Sequence, residues 1–433
     1  MTQTAKPQLI TSIVIVALFT IVPTIEAHAR FQPYTIDDDE FNYLDFSSYE
    51  LLQVMNPQGY GKVNELFFPK TTMISPGSSY FEPGINVEED VPKITSLSTW
   101  MTDLKKYKKI APLKINQIAI PGAHHAGLTY LLPLFESVQK IFRQFGLESD
   151  SGTFGLPKEY LFKIVNSLLV PHHHSVAQIL EQGGRYLDLR VARDINDPQQ
   201  IYLAHCFLSK IRLNDTLADI NEFLNKNPGE IIFIDIPGDD GPLGTVGDSV
   251  PHQQIDHQIR KYIDSKFILS RKNISQPIST YGGIYFSSFE VNSTIDQIKI
   301  KGGWSMTHSD NPYDVIQNIQ EYYENGSYLK QEPLDYDVLK CDPYITGTKD
   351  TMIQTIKYET LLQKYDQPVD PLINARFIPA NLKSTAQLTN PLFYNSVYRS
   401  KVLTQVLNII EMDDFNSGNA IRAIEININR YYP

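Results

Sequence analysis

The chain has 433 residues, 42% hydrophobic and 20% charged, with 38 Lys and Arg against 49 Asp and Glu, for a net charge of −11. This composition fits a globular protein and excludes a largely disordered one; the acidic balance argues against general nucleic-acid binding and against docking on anionic membranes by overall charge, since both need clustered cations. Two cysteines exclude a disulfide-stapled scaffold and a four-cysteine zinc site.

Residues 1–29 read as a secretory signal. Lys6 opens a short apolar run from Leu9 to Val22, Pro23 ends it, and Ala27-His28-Ala29 gives a small-x-small cleavage pattern. The run is too short for a convincing membrane span, and no later stretch approaches eighteen apolar residues. The expected mature protein is therefore secreted or extracytoplasmic and not transmembrane. Four glycosylation triplets begin at Asn214, Asn273, Asn292 and Asn325. Cys206 and Cys341 are read as unpaired thiols, with a disulfide between them as the alternative. Residues 30–95, rich in Tyr, Phe, Pro and Gly with acidic clusters at Asp37–Glu40 and Glu88–Asp90, read as an extension packing on a main domain over 96–433.

From Leu97 short β-branched runs alternate with amphipathic stretches, the mark of an α/β architecture. A strand is predicted over Ile115–Ile120, running into Pro121-Gly122. Val176, Ile179 and Leu180 have helical spacing after Ser175. Arg185–Val191 reads as a second strand and Gln200–Leu203 as a third. Asp215 or Thr216 is expected to cap a helix with apolar face Leu217, Ile220, Phe223 and Leu224. Asn227-Pro228-Gly229 stops it before a fourth strand, Glu230–Ile236. Later strands are expected at Gly283–Phe286 and Trp304–Thr307, and a helix is marked by Val315, Ile316, Ile319, Tyr322 and Tyr323. Residues 326–397 show little pattern. Val402, Leu403, Val406 and Leu407 suggest a helix face, Asn408–Asp413 a last strand, and Ala420–Arg430 a closing helix.

Polar residues stand at the carboxyl ends of these strands. His124 and His125 follow the first, Asp188 and Arg190 lie in the second, His205 follows the third, and Asp413 ends the last. In a parallel α/β barrel such ends converge on one face, which carries the chemistry. Asp188 and Arg190 are two apart and share a side of their strand. His172-His173-His174 resembles a metal cluster, but consecutive residues point in different directions, so a solvated loop is the reading adopted.

The segment Ile118-Ala-Ile-Pro-Gly-Ala-His124-His125 resembles the first signature of the phosphatidylinositol-specific phospholipase C X-domain family. Gln182-Gly-Gly-Arg185-Tyr-Leu-Asp188-Leu-Arg190, Ile201-Tyr-Leu-Ala-His205 and Thr216–Ile236 resemble the three blocks that follow it, in order and spacing. Ser98-Thr-Trp100-Met101 is similar to the family's lead-in. The resemblance implies a distorted TIM (β/α)8-type barrel, preceded here by the N-terminal extension, and cleavage of a phosphodiester by two histidines.

Carried over residue by residue, the resemblance implies His124 as general base, His205 as general acid, Arg190 as the phosphate contact of metal-independent members, Asp188 as a site carboxylate, and Asp413 as the aspartate that orients His124, with Asp414 a register-shifted rival. It implies a phospholipid substrate at a membrane surface, a cyclic inositol phosphate intermediate, and neither metal nor cofactor. His125 departs from the pattern. The family has Asp there in metal-independent members, supporting the second histidine, and Asn in calcium-dependent ones. Two other functions stay open: a metal-dependent glycerophosphodiester or sphingolipid phosphodiesterase, against which Arg190 speaks, and a catalytically inactive barrel that binds a head group.

Overall fold

The computed structural model describes residues 92–132, 162, 165–166, 168–194, 197–237, 250–287, 295–302, 312–330, 336–344 and 382–432. The 1–29 segment, nearly all of the 30–95 extension and the strand expected at 304–307 lie outside the described residues.

Seven short parallel strands form one sheet. In spatial order these are β7 (Gly283–Ser287), β6 (Ile231–Asp235), β2 (Tyr186–Asp188), β1 (Ile120–Ala123), β10 (Ile409–Met412), β9 (Val338–Cys341) and β8 (Ile300–Lys301). A bridge from Phe286 to Gln297 and a hydrogen bond from Ile298 N to Phe286 O (3.0 Å) bring the chain entering β8 back to β7. The sheet is thus a nearly closed α/β barrel. Three more strands, β3 (Val191–Asp194), β4 (Asp197–His205) and β5 (Phe207–Arg212), form a separate antiparallel sheet.

Alternation along each strand sorts side chains inside and out. Ile232, Ile234, Leu187, Ile284 and Phe286 face outward to α2 (Val176–Glu181), α3 (Leu213–Lys226) and α4 (His252–Tyr262). Ile410, Met412, Leu339 and Cys341 face α5 (Pro312–Glu324), α6 (Leu382–Arg399) and α7 (Lys401–Val406). Helix α8 (Ser417–Tyr431), capped by Asn416, packs against β1. Inside, Ile120, Ile231, Phe233, Tyr285, Val338 and Ile409 fill the amino-terminal end, with Trp100 and Met101 of α1 (Trp100–Leu104) in the same cluster. Burying each such side chain contributes about 1.5–3 kcal/mol. A Cβ on Gly122 would lie 2.6 Å from Tyr186 Cβ, so this position must be glycine for Tyr186 to fill the barrel.

Several expectations are corrected. β1 begins at Ile120. Residues Ile115–Gln117 instead form a 3₁₀ turn, because buried Ile115 and Ile118 are three apart, a turn spacing and not a strand spacing. Arg185–Val191 divides into β2 and β3, with the chain leaving the barrel at Leu189-Arg190. The predicted third strand, β4, lies in the antiparallel sheet and is no barrel strand. Helix α3 starts at Leu213 with Arg212 as N-cap, so Asp215 and Thr216 lie in its first turn, and the Thr216 hydroxyl donates back to Arg212 O (3.2 Å). In the 326–397 region β9 and α6 are present. Val402 is exposed while Leu403 and Leu407 are buried. Neither Cys206 nor Cys341 forms a disulfide.

The amino-terminal end is tied by Arg185, fully buried beside Glu230. Its Nε donates to Glu230 Oε2 (2.9 Å), and its two terminal nitrogens donate to the carbonyls of Leu180, Gly184, Leu97 and Ser98. Glu230 also accepts from Thr102 N (2.8 Å) and Thr102 Oγ1 (2.5 Å). Removing one member leaves an uncompensated buried charge. Arg185→Ala is expected to lower unfolding free energy by about 3–5 kcal/mol in urea titrations; a loss below about 1 kcal/mol would contradict this role.

Candidate active site

His124, Arg190, His205, Asp188 and Asp413 meet at the carboxyl ends of β1, β2 and β10, where the β4–β5 hairpin joins them. His124 and Asp413 leave paired strands side by side, and His124 Nδ1 lies 2.8 Å from Asp413 Oδ1. With the carboxylate accepting the Nδ1 proton, Nε2 is the lone-pair face, and it points toward Asp188 Oδ2 at 3.8 Å. Arg190 Nε lies 3.3 Å from the same oxygen. Asp414, the rival to Asp413, instead donates its backbone N–H to Pro171 O (2.9 Å), and its carboxyl is hydrogen-bonded to the Gln387 side chain.

His205 arrives from the end of β4. Its Nδ1 donates to the carbonyl of Leu169 (2.7 Å), so a backbone oxygen serves where the family places a carboxylate. His125 lies between the two expected catalytic imidazoles. Its ring stacks on His205 at 3.9 Å between centroids and meets His124 edge-on at 4.2 Å. On the far side of His124, Tyr344 stacks at 3.9 Å with 4° between planes.

Among the described residues, three non-glycine positions have left-handed backbones: His125 (φ 47°), Cys206 (φ 58°) and Asp414 (φ 46°). Each directly follows a site residue: His124, His205 or Asp413. Such conformations cost on the order of 1–2 kcal/mol apiece. They turn the chain sharply away while the preceding side chain keeps its strand-defined inward direction.

Beneath this constellation lies a buried ionic layer that the sequence reading did not single out. Lys340 Nζ of β9 lies 2.7 Å from Glu411 Oε2 and 3.4 Å from Asp342 Oδ1. Tyr186 donates to Asp235 Oδ2 (3.0 Å) and Ser287 to Asp235 Oδ1 (2.7 Å). Burial alone would lower the Lys340 pKa, but Asp342 and Glu411 hold it above the usual lysine value. Burial raises the carboxyls of Glu411 and Asp188, opposed by Lys340 for the first and Arg190 for the second. Burial, then the Arg190 charge, pushes His124 well below the ordinary histidine value, so the imidazole rests neutral. Burial pushes the Asp413 carboxyl up.

His172 was expected in a solvated loop and is instead fully buried. Its Nε2 donates to the carbonyl of His124, and its Nδ1 accepts from Phe415 N (3.2 Å). One neutral ring thereby joins the backbone of His124 to the turn after Asp413. His173 and His174 point elsewhere, to Lys383 and Gln182. For metal ions, His124, His125 and Asp188 offer ligand atoms within 4.8 Å of one another, a set the sequence reading, which expected no metal, did not recognise.

No family model matches the chain. It is 28% identical over 150 residues to the variant-surface-glycoprotein phospholipase C of Trypanosoma brucei brucei, an alignment covering 32% of this chain and 38% of that protein. It is 31% identical over 138 residues to mouse PI-PLC X domain-containing protein 2, covering 31% and 37%. This chain resembles the PI-PLC X-domain proteins. The alignments span less than half the length of either relative. Among solved structures, the phosphatidylinositol-specific phospholipase C of Listeria monocytogenes aligns with a TM-score of 0.44 at 15% identity, over 77% of this chain and 99% of that one. A Staphylococcus aureus counterpart aligns at 0.46 and 12%, over 76% and 96%.

Burial holds the His172 pKa at about 3, against 6.5 for an ordinary histidine. Below pH 6.5 the unfolded chain binds a proton there that the folded chain does not. This site therefore loses stabilisation as pH falls from about 6.5 toward 3, at up to about 1.4 kcal/mol per unit. Between pH 7 and 5, His172→Asn is expected to show a smaller drop in urea midpoint than the unsubstituted protein. An equal drop would contradict the neutral bridge.

Proposed function

We propose that this chain is a metal-independent phosphodiesterase that cleaves phosphatidylinositol-type lipids at a membrane surface. The observation that carries the reading is the His124–Asp413 pair, set beside Arg190 and in one cluster with His205. Asp413 accepts the Nδ1 proton and leaves Nε2 of His124 as the base. Nε2 takes the proton of the inositol 2-hydroxyl, and that oxygen attacks phosphorus. Arg190 supplies a permanent cation for the charge that builds on the phosphoryl oxygens. His205, with Nδ1 tied to Leu169 O, donates from Nε2 to the departing diacylglycerol oxygen. The P–O bond to the lipid breaks and a cyclic inositol phosphate forms. Water opens it with the roles of the histidines reversed.

The ionic layer supports a polyhydroxyl head group. Both carboxylate oxygens of Asp342 and Oε1 of Glu411 accept no hydrogen bond among the described residues, which suits a ligand rich in hydroxyl donors. Arg190 beside Asp188 speaks against the metal-dependent alternative, because a cation stands where a ligand would be needed. The signal-like 1–29 segment supports action outside the cytoplasm; no described helix is long and apolar enough to cross a membrane. One observation favours a second reading, a head-group-binding barrel without turnover: the His125 ring touches both imidazoles that would flank the phosphorus.

Phosphorus NMR of phosphatidylinositol vesicles in EDTA decides between them. A cyclic inositol phosphate signal is expected. His124→Ala and His205→Ala are each expected to lower its rate about 10²–10⁴-fold with unchanged circular dichroism. Near-normal rates in both variants would refute the mechanism, and head-group binding with no product would establish the second reading. Because burial holds His124 below 6.5, the base limb of the kcat/KM profile is expected below pH 6.5, with activity retained as pH falls through that value; a limb above 7 would contradict the assignment.

A further inference from the structure

The proposed reaction leaves His125 without a part. The residue is 3% exposed, its backbone is left-handed, and Nδ1 has no hydrogen-bond partner. An unsatisfied buried polar group of this kind costs about 1–3 kcal/mol. Its ring nitrogens lie among two other donors with lone pairs. His124 Nε2 is the nitrogen not engaged by Asp413, and Asp188 Oδ2 lies 3.8 Å from it. All three ligand atoms fall within 4.8 Å of one another. A tetrahedral ion with bonds of about 2.0–2.1 Å holds its ligand atoms about 3.3 Å apart. The His124–Asp188 separation already approaches that value.

We propose that His124, His125 and Asp188 form a binding site for a zinc-type divalent ion, and that the ion switches the protein off by taking the Nε2 lone pair of His124. Two imidazoles and one carboxylate are a nitrogen-rich set that suits zinc and its late first-row neighbours, whereas calcium and magnesium take oxygen ligands. Asp413 on His124 Nδ1 completes the carboxylate–imidazole–metal arrangement that orients a ligating histidine and raises its basicity. Arg190 opposes the ion and must swing away from Asp188. Its contacts there, 3.3 and 3.4 Å, are long for an ion pair. The fourth coordination position is left to water. The binding part of this inference rests on the placement of the three ligand side chains alone; only the inhibition rests on His124 being the base.

The test uses the full-length protein stripped with EDTA and dialysed free of it. Calorimetric titration with zinc chloride is expected to show one site per chain, and cobalt(II) is expected to give the visible ligand-field bands of a tetrahedral nitrogen–oxygen site. His125→Asn and Asp188→Asn, each checked for an unchanged thermal unfolding midpoint, are expected to lower zinc affinity about a hundredfold or more, since loss of an outer partner alone costs about 10–100-fold. Saturating zinc is expected to lower lipid cleavage at least tenfold, with EDTA restoring it. Zinc bound with equal affinity by the protein and both variants would overturn the site, as would no binding at all. Stoichiometric binding without loss of turnover would overturn the inhibition. If no lipid is turned over, the calorimetric and cobalt results still decide the site.

Discussion

The Arg185–Glu230 tie is the constraint on which the geometry of the mouth depends. A buried ion pair is costly to desolvate and is tolerated only when its donors and acceptors are filled. Here the guanidinium is filled by Glu230 and four carbonyls, drawn from the lead-in to α1, the end of α2 and the start of β2. Glu230 binds the first turn of α1 and immediately precedes β6. The tie thereby sets where β2 and β6 begin. The strands are short, so a fixed start is a fixed end. Tyr186 pairs with Phe233 and Asp188 with Asp235, and the carboxylates that underlie the site inherit their height from a contact at the opposite face.

Going up the barrel, the interior changes in three steps. Isoleucine, phenylalanine and tyrosine fill the bottom. Lys340, Glu411, Asp342 and Asp235 form the middle. Imidazoles, Arg190 and Tyr344 form the top. The middle layer is richer in acids than in cations, and Lys340 stays charged because those acids surround it. His124 and His125 above meet a different balance. Burial acts on them together with Arg190 and with each other, and each of these pushes toward the neutral ring. One barrel interior thus keeps Lys340 protonated and His124 and His125 unprotonated.

Much of the site was legible because strand-end position and inward parity are written in local sequence. His124, Asp188, Arg190 and Asp413 follow from the register of β1, β2 and β10. His205 was placed correctly in the cluster and wrongly in architecture, since a polar residue ending an apolar run looks the same on a barrel strand and on a hairpin. β9 escaped notice because its inward Lys340 breaks the apolar pattern of Val338, Leu339 and Cys341. Helix α4 buries Ile255 and Ile259 together with the polar Asp256, and α6 contains Pro391. The Leu169 carbonyl that serves His205 has no sequence signature, because any residue supplies it. His172 was hidden by its two neighbours: the triplet reads as one exposed motif, yet only its first member turns inward.

The reversal of backbone handedness after His124, His205 and Asp413 has a consequence for how such a protein can change. Each imidazole or carboxylate is aimed by a residue still in register with the sheet, and the connection departs one residue later. Insertions and deletions beyond that pivot alter what surrounds the entrance without re-aiming the reactive atoms. The long connection between His124 and α2 can thus be remodelled to suit a different surface while the clustered side chains keep their bearings.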